Sequence, residues 1–162
     1  MGGMNSMNGV GSMSDILIRE AEESDLPMIE KLVVELIESM ENKEGIELHT
    51  VLENCQNLLK DINSHILVAE LDGDVVGFIN FTVRRTLLHI APSGLIDELV
   101  VTENYRNKGI GKQLINAAIE KCRSIGCCEV EVSTESANTV AIEFYKKCGF
   151  EKKGVFLEKD LV

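Results

Sequence analysis

Two apolar runs in the middle of this chain meet at one dipeptide. His65 to Leu71 and Val75 to Val83 have the length and β-branched content of strands, and Asp72-Gly73 between them reads as a tight hairpin turn. An antiparallel pair is thereby committed, and everything else must pack around it. Upstream the apolar period is helical. Ile16 to Arg19 is a short strand, Ser24-Asp25 offer an N-cap, and Pro27 sits in the first turn, where its missing N–H does no harm. Ile29, Leu32, Val33, Leu36, Ile37 and Met40 then recur at helical spacing until Gly45 closes the helix. A second helix is expected over Thr50 to Lys60, with Val51, Leu52, Cys55, Leu58 and Leu59 inward.

Downstream of the hairpin a loop holds Arg84, Arg85, His89 and Pro92, and Gly94 to Val101 reads as a third long strand. A Gly-containing turn leads into a helix over Ile110 to Ser124, with Leu114, Ile115, Ala118, Ile119 and Cys122 inward and Gly126 at its end. A strand over Cys128 to Ser133 and a helix over Asn138 to Lys147 follow, and Gly149-Phe150 turn the chain into a last strand near Lys153 to Glu158. The order β-α-α-β-β-β-α-β-α-β implies one α/β domain, with a mixed, mostly antiparallel central sheet flanked by helices. Hairpins lie on its N-terminal side and crossovers on its C-terminal side.

Composition narrows the function classes. A chain of 162 residues fits a single domain and buries roughly 68–70% of its unfolded surface, so it needs no staples. The net charge of −11 argues against nucleic acid or an anionic membrane as partner and mildly favours a cationic one. Aromatics make up 4% with no Trp, too few for a base-stacking platform. Cys55, Cys122, Cys127, Cys128 and Cys148 lack the spacing of a disulfide framework or a zinc site, and His49, His65 and His89 are far apart, so no metal is expected. Buried or half-buried thiols in a reducing cytoplasm are the simplest reading. No window reaches the ~18–20 apolar residues of a membrane span, and the N-terminus lacks a signal-peptide pattern. Residues 1–12 are Gly, Asn, Ser and Met with one Val; they read as an unordered extension ahead of a domain starting at Met13.

The strongest chemical signal is Arg106-Asn107-Lys108-Gly109-Ile110-Gly111-Lys112, between a strand and a helix. Two glycines allow positive φ and close approach of a ligand to the backbone, and the helix start offers unpaired N–H groups and the positive end of a dipole. That suits a pyrophosphate, with Arg106, Lys108 and Lys112 as mobile positive charge. The bland alternative is a turn whose basic residues face solvent. The spacing matches neither the nucleotide-hydrolase nor the dinucleotide fingerprint.

This R-x-x-G-x-G turn after an apolar strand resembles the acetyl-CoA pyrophosphate loop of the GNAT superfamily of N-acetyltransferases. A second segment, Asn138, Ala141, Ile142, Phe144, Tyr145, Lys147, Gly149 and Phe150, is similar to that family's N-x-x-A-I-x-F-Y-x-K-x-G-F motif. The resemblance spans residues 15–160. It implies a GNAT-like fold, acetyl-CoA as co-substrate and an amine acceptor. The backbone of Leu99, Val100 and Val101 would pair with the pantetheine arm like an added strand, and amides of Asn107 through Gly111, with Lys112, would hold the pyrophosphate. Asn138 would bond the pantetheine amides and Ala141 would leave room for the arm; an N-cap is the plain role for Asn138. Tyr145, two helical turns on from Asn138, resembles the general acid that protonates the departing thiolate, though a core Tyr would look the same.

An alkylammonium acceptor is uncharged in only about one molecule in 2,500 at pH 7, a cost near 4.6 kcal/mol, so a base is expected. Asp97 and Glu98 lie where related enzymes often carry acidic residues. On an extended strand their side chains point to opposite faces, so only one looks into the cleft; Asp97 shares its face with Leu99 and Val101 and is preferred. Glu131, with Glu129 on its face, is a third candidate, but the stretch Ser133 to Ala137 is longer than is usual for the family. Asn107 stands where Gly is common, and Asn tolerates left-handed geometry. Cys148 beside Tyr145 suggests an acetyl-cysteine route, but no His or Asp partner is visible for it. Acceptor pockets would form from residues 41–64 and 84–93, whose sequence names no ligand; polyamines, aminoglycoside-like amines and Lys-bearing peptides fit the acidic balance. A non-catalytic acyl-CoA sensor and a generic phosphate-binding module are the alternatives, and pairing through a sheet edge makes a homodimer the expected assembly.

Overall fold

In a computed structural model the residues described are 15–40 and 43–161, so the expected extension over 1–12 lies outside them. The hairpin forms as read. Strands β2 (Ser64–Leu71) and β3 (Asp74–Arg84) pair antiparallel with Leu71 opposite Asp74, and Asp72 (φ 52°) and Gly73 (φ 88°) take the two left-handed positions such a turn needs. β1 (Leu17–Glu20) adds to the outer side of β2, and β4 (Ser93–Val101) to β3, both antiparallel. β5 (Glu129–Val132) lies parallel to β4 and completes the order β1-β2-β3-β4-β5.

Among the described residues four α-helices cover this mixed sheet: α1 (Leu26–Ser39), α2 (Leu48–Leu58), α3 (Ile110–Ile125) and α4 (Thr139–Lys147). Each face has its own core. On one, Leu114, Ile115, Ala118 and Cys122 of α3 pack on Leu67, Ile79, Phe81 and Ile96, with Phe144 and Tyr145 of α4 at the margin. On the other, Ile29, Leu32 and Val33 of α1 and Cys55 of α2 pack on Ile66, Val68, Phe78 and Val100. Among the described residues no helix is long and apolar enough to cross a membrane.

Several expectations need correction. Helix α1 ends at Ser39 with Met40 already extended, well before Gly45, and α2 begins two residues earlier than read, at Leu48. Asp25 stands at the N-cap of α1, yet its carboxylate does not cap the helix. It takes a two-pronged bond from Arg19 (2.7 and 2.8 Å) and one from the Glu22 N–H (2.8 Å). A buried carboxylate gains more from a planar guanidinium than from a single amide, so the pair wins. The strand expected over Lys153 to Glu158 is absent. Residues 151–161 have no regular structure and belong to no ladder, so their apolar run, with Val155, Phe156 and Leu157 exposed, is not enough to make a strand.

Candidate active site

The loop between β4 and α3 is shaped by backbone conformation. Asn107 (φ 60°) and Gly109 (φ 82°), the N-cap of α3, both turn left-handed. Glycine offers no side-chain cap, so the first N–H groups of α3 point outward at the positive end of the helix dipole. Gly111, also expected to need positive φ, is ordinary helix. Its use is clearance, since a Cβ there would lie 3.3 Å from Phe144 Cζ and 3.9 Å from Leu99 Cδ2. It lets α4 close on the start of α3.

The basic residues of the loop are less mobile than their sequence suggests. Arg106 donates through Nε to the Val101 carbonyl (2.9 Å) and through Nη2 to Glu35 on α1 (3.2 Å). Glu35 also accepts from the Thr102 hydroxyl (2.9 Å) and the Glu103 N–H (2.7 Å), so one carboxylate clasps the whole approach to the loop. Lys108 Nζ lies 5.0 Å above the Tyr105 ring. Lys112 is exposed in the first turn of α3.

Beside this loop the sheet opens. β4 pairs with β5 only from Ser93 to Ile96, and Asp97–Val101 run on without a partner on that side. The Thr102 N–H donates to Val76 across the other side, so alternation turns the main chain of Leu99 and Val101 toward the gap and that of Val100 toward β3. Of the three residues expected to present their backbone, Leu99 and Val101 do so, and the Val101 carbonyl is already engaged by Arg106.

The carboxylates are arranged differently from the expectation. The β3–β4 register shifts between Asn80, opposite Glu98, and Phe81, opposite Ile96, leaving Asp97 as an extra residue. This is a β-bulge, and it brings both acids to one face. The Thr82 hydroxyl donates to Asp97 (2.8 Å) and the Asn80 amide to Glu98 (2.7 Å). Thr82 and Asn80 flank Phe81, whose ring is in the α3 core, so both acids look toward α1 and α2, away from the face of Leu99 and Val101. Glu98 is exposed to water, and the protein packed around it desolvates it in part. That desolvation raises its carboxyl above the ordinary range; Asn80 opposes the shift and the Asp97 charge adds to it. Glu131 pairs with Arg84 at the end of β3, and Glu129 with His89 (3.0 Å) in the loop after it, so both acids of β5 are engaged in ion pairs.

On the opposite face Tyr145 packs edge-on against Phe144 (5.3 Å) and Phe150 (5.8 Å), its ring within the margin of the α3 core. Burial pushes its phenol up, with a smaller push from Cys148, so it stays protonated at neutral pH. The Cys148 thiol is also raised by burial, opposed by Lys112, and a protonated thiol is a weak nucleophile. Asn138 Oδ1 accepts from the Ala141 N–H (3.0 Å), which is the N-cap of α4. Among the described residues no group of three His, Cys, Asp or Glu could hold a metal ion. Asn80, Ser64 and Glu35 are the site residues the sequence reading missed. The one signal for Asn80 was a lone amide inside the apolar run from Val75 to Val83.

A parting parallel pair runs into a bare helix start, with Tyr145 on one face of the sheet and Glu98 on the other. A family model described as Acetyltransferase (GNAT) family matches residues 29–150, and the chain belongs to that family. It is 33% identical over 101 residues to an N-alpha-acetyltransferase of Sulfurisphaera tokodaii, covering 58% of this chain and 60% of that protein. It is 30% identical over 135 residues to an aminoalkylphosphonate N-acetyltransferase of Salmonella typhimurium, covering 83% and 84%. A possible acetyltransferase from Clostridium difficile 630 has the same fold, with a TM-score of 0.81 at 25% identity over 91% of this chain and 98% of that one.

Proposed function

We propose that this protein transfers an acetyl group from acetyl-CoA to a primary amine by direct attack. The observation that carries the reading is the gap beyond Ile96, which leads along Leu99 and Val101 into the left-handed loop and the start of α3. The pantetheine arm would pair with the Leu99 backbone, and the amides of Asn107 through Gly111, with Lys108 and Lys112, would take the pyrophosphate. Asn138 keeps its amide Nδ2 for the arm while Oδ1 caps α4, and Ala141 leaves the arm room. Arg106 serves this site by shaping the loop.

In the reaction the amine lone pair attacks the thioester carbonyl, a C–N bond forms and the C–S bond breaks. Before attack Glu98, directly or through a water, takes one proton from the ammonium, its raised carboxyl bringing the base closer to the amine it must deprotonate; the second N–H proton leaves to solvent as the amide forms, and Glu98 releases its own to solvent. Tyr145 gives its phenolic proton to the departing thiolate and regains one from solvent. Asp97 lies beside Glu98 on the same face, where it attracts a cationic acceptor. The acceptor then approaches from the α1–α2 side, where Gly45, Ile46, Thr50 and Asn54 line a recess of about 400 Å³. The reading includes a cytoplasmic setting and a homodimer through a sheet edge.

Calorimetric titration with acetyl-CoA, with ATP as control, followed by a thiol-release screen over polyamines, aminoglycosides, amino acids and basic peptides, tests it. Binding with turnover on one amine class supports the enzyme and names its acceptor. Binding without turnover on any amine favours an acyl-CoA sensor, and failure to bind acetyl-CoA overturns the reading.

A further inference from the structure

Across the α1–α2 face of the sheet runs a chain of polar groups in an otherwise apolar layer. Ser64 of β2 donates from Oγ to Asn80 Oδ1 (3.1 Å), and Asn80 of β3 donates from Nδ2 to Glu98 Oε2 of β4 (2.7 Å). Ser64 is 8% and Asn80 4% exposed, in the same layer as Ile66, Phe78 and Val100. A hydroxyl and an amide are costly to bury there unless their bonds are made. The direction of the chain is dictated by its end. An ionised carboxylate only accepts, so the amide must present its NH₂ to Glu98 and its carbonyl to Ser64, whose hydroxyl must then donate.

We propose that Asn80 and Ser64 are positioning residues for Glu98: Ser64 locks the Asn80 amide in one orientation, and that amide locks the carboxylate. Its place in the reaction rests on the reading of Glu98 as base. The geometry of the chain does not. Among the described residues, the charged and titratable groups that act on Glu98 or on its neighbour Cys55 are Asp97 on its own strand, the Cys55 thiol of α2, which feels the Glu98 charge, and Glu30 of α1, which acts on that same thiol; β3 offers Glu98 the Asn80 amide. With no cation in this set, the amide is the group that favours the charged carboxylate against burial.

The test is a titration of Glu98 followed by NMR in protein carrying carboxyl-labelled glutamate, without any substrate, in wild type, Asn80→Leu, Ser64→Ala and Ser64→Thr, with Glu98→Gln to assign the signal. Losing a hydrogen bond to a charged group moves the Glu98 midpoint up by about one pH unit in Asn80→Leu. Ser64→Ala moves it by a few tenths in the same direction, and Ser64→Thr, which keeps the hydroxyl, restores the wild-type value. A Glu98 midpoint unmoved in Ser64→Ala and in folded Asn80→Leu overturns the proposal. The acid limb of acetyl transfer, measured with the amine the screen selects, should move with the NMR midpoint. If Glu98→Gln leaves transfer intact while Asn80→Leu shifts the midpoint, the base assignment fails and the positioning chain stands. If Glu98→Gln abolishes transfer while both midpoints stay put, the base stands and the chain falls.

Discussion

On the proposed function, the donor side and the acceptor side of this site are built by different means. On the donor side the working parts are main-chain groups: the open edge of β4 at Leu99 and Val101, two left-handed residues, and the first turn of α3. All lie within residues 99–112, on one strand, one turn and one helix start, beside the point where β5 parts from β4. On the acceptor side the working parts are side chains gathered from three strands, with Ser64, Asn80, Thr82, Asp97 and Glu98 meeting only because β2 and β4 hold a fixed register on β3 and the β3–β4 pair is bulged at Asp97. A site made of backbone is specified by local conformation; a site made of side chains is specified by which strands face each other.

If the two sides are separable, substitutions should split binding from chemistry. Glu98→Gln should lower the acetyl-transfer rate by about 10²- to 10⁴-fold, while calorimetry shows acetyl-CoA affinity within about twofold of wild type. A fall in both would join the two sides. Asp25→Ala should damage neither side directly and the fold instead. Removing a buried carboxylate from Arg19, whose side chain is 30% exposed, should cost about 2–3 kcal/mol in urea unfolding. Arg19 holds the Asp25 carboxyl below its ordinary 3.8. The stability it contributes is therefore present above that pH and is lost as pH falls through the lower folded value, and the variant's acid-unfolding curve should lack that step.

Gly109→Val gives the converse of Glu98→Gln. A β-branched side chain at φ 82° is strained by about 1–2 kcal/mol, so the acetyl-CoA Kd should rise about tenfold while the rate at saturating donor holds. Glu35→Ala is the finer version. Releasing Thr102, Glu103 and Arg106 should raise the same Kd about fivefold with little change in kcat, and a change in kcat alone would place Glu35 with the acceptor side.

The hairpin at Asp72-Gly73, the start of α3 after Gly109 and the Asn138 cap of α4 could be read directly, because each depends on residues adjacent in the chain. Gly and Asn set local dihedrals, and a side-chain oxygen reaches an amide three residues away whatever the rest of the molecule does. The family motifs lie in the same local elements. What the tertiary structure decided was pairing. The bulge at Asp97 is a mismatch between two strands, invisible in either one, and it turned two acids expected on opposite faces onto the same face. Arg106 looks like mobile charge until α1 brings Glu35 to it, and Asp25 looks like a cap until β1 brings Arg19. The apolar run near Val155 has the composition of a strand but no ladder partner among the described residues. Local dihedral preferences are encoded residue by residue, whereas a partner's presence depends on the packing of the whole fold.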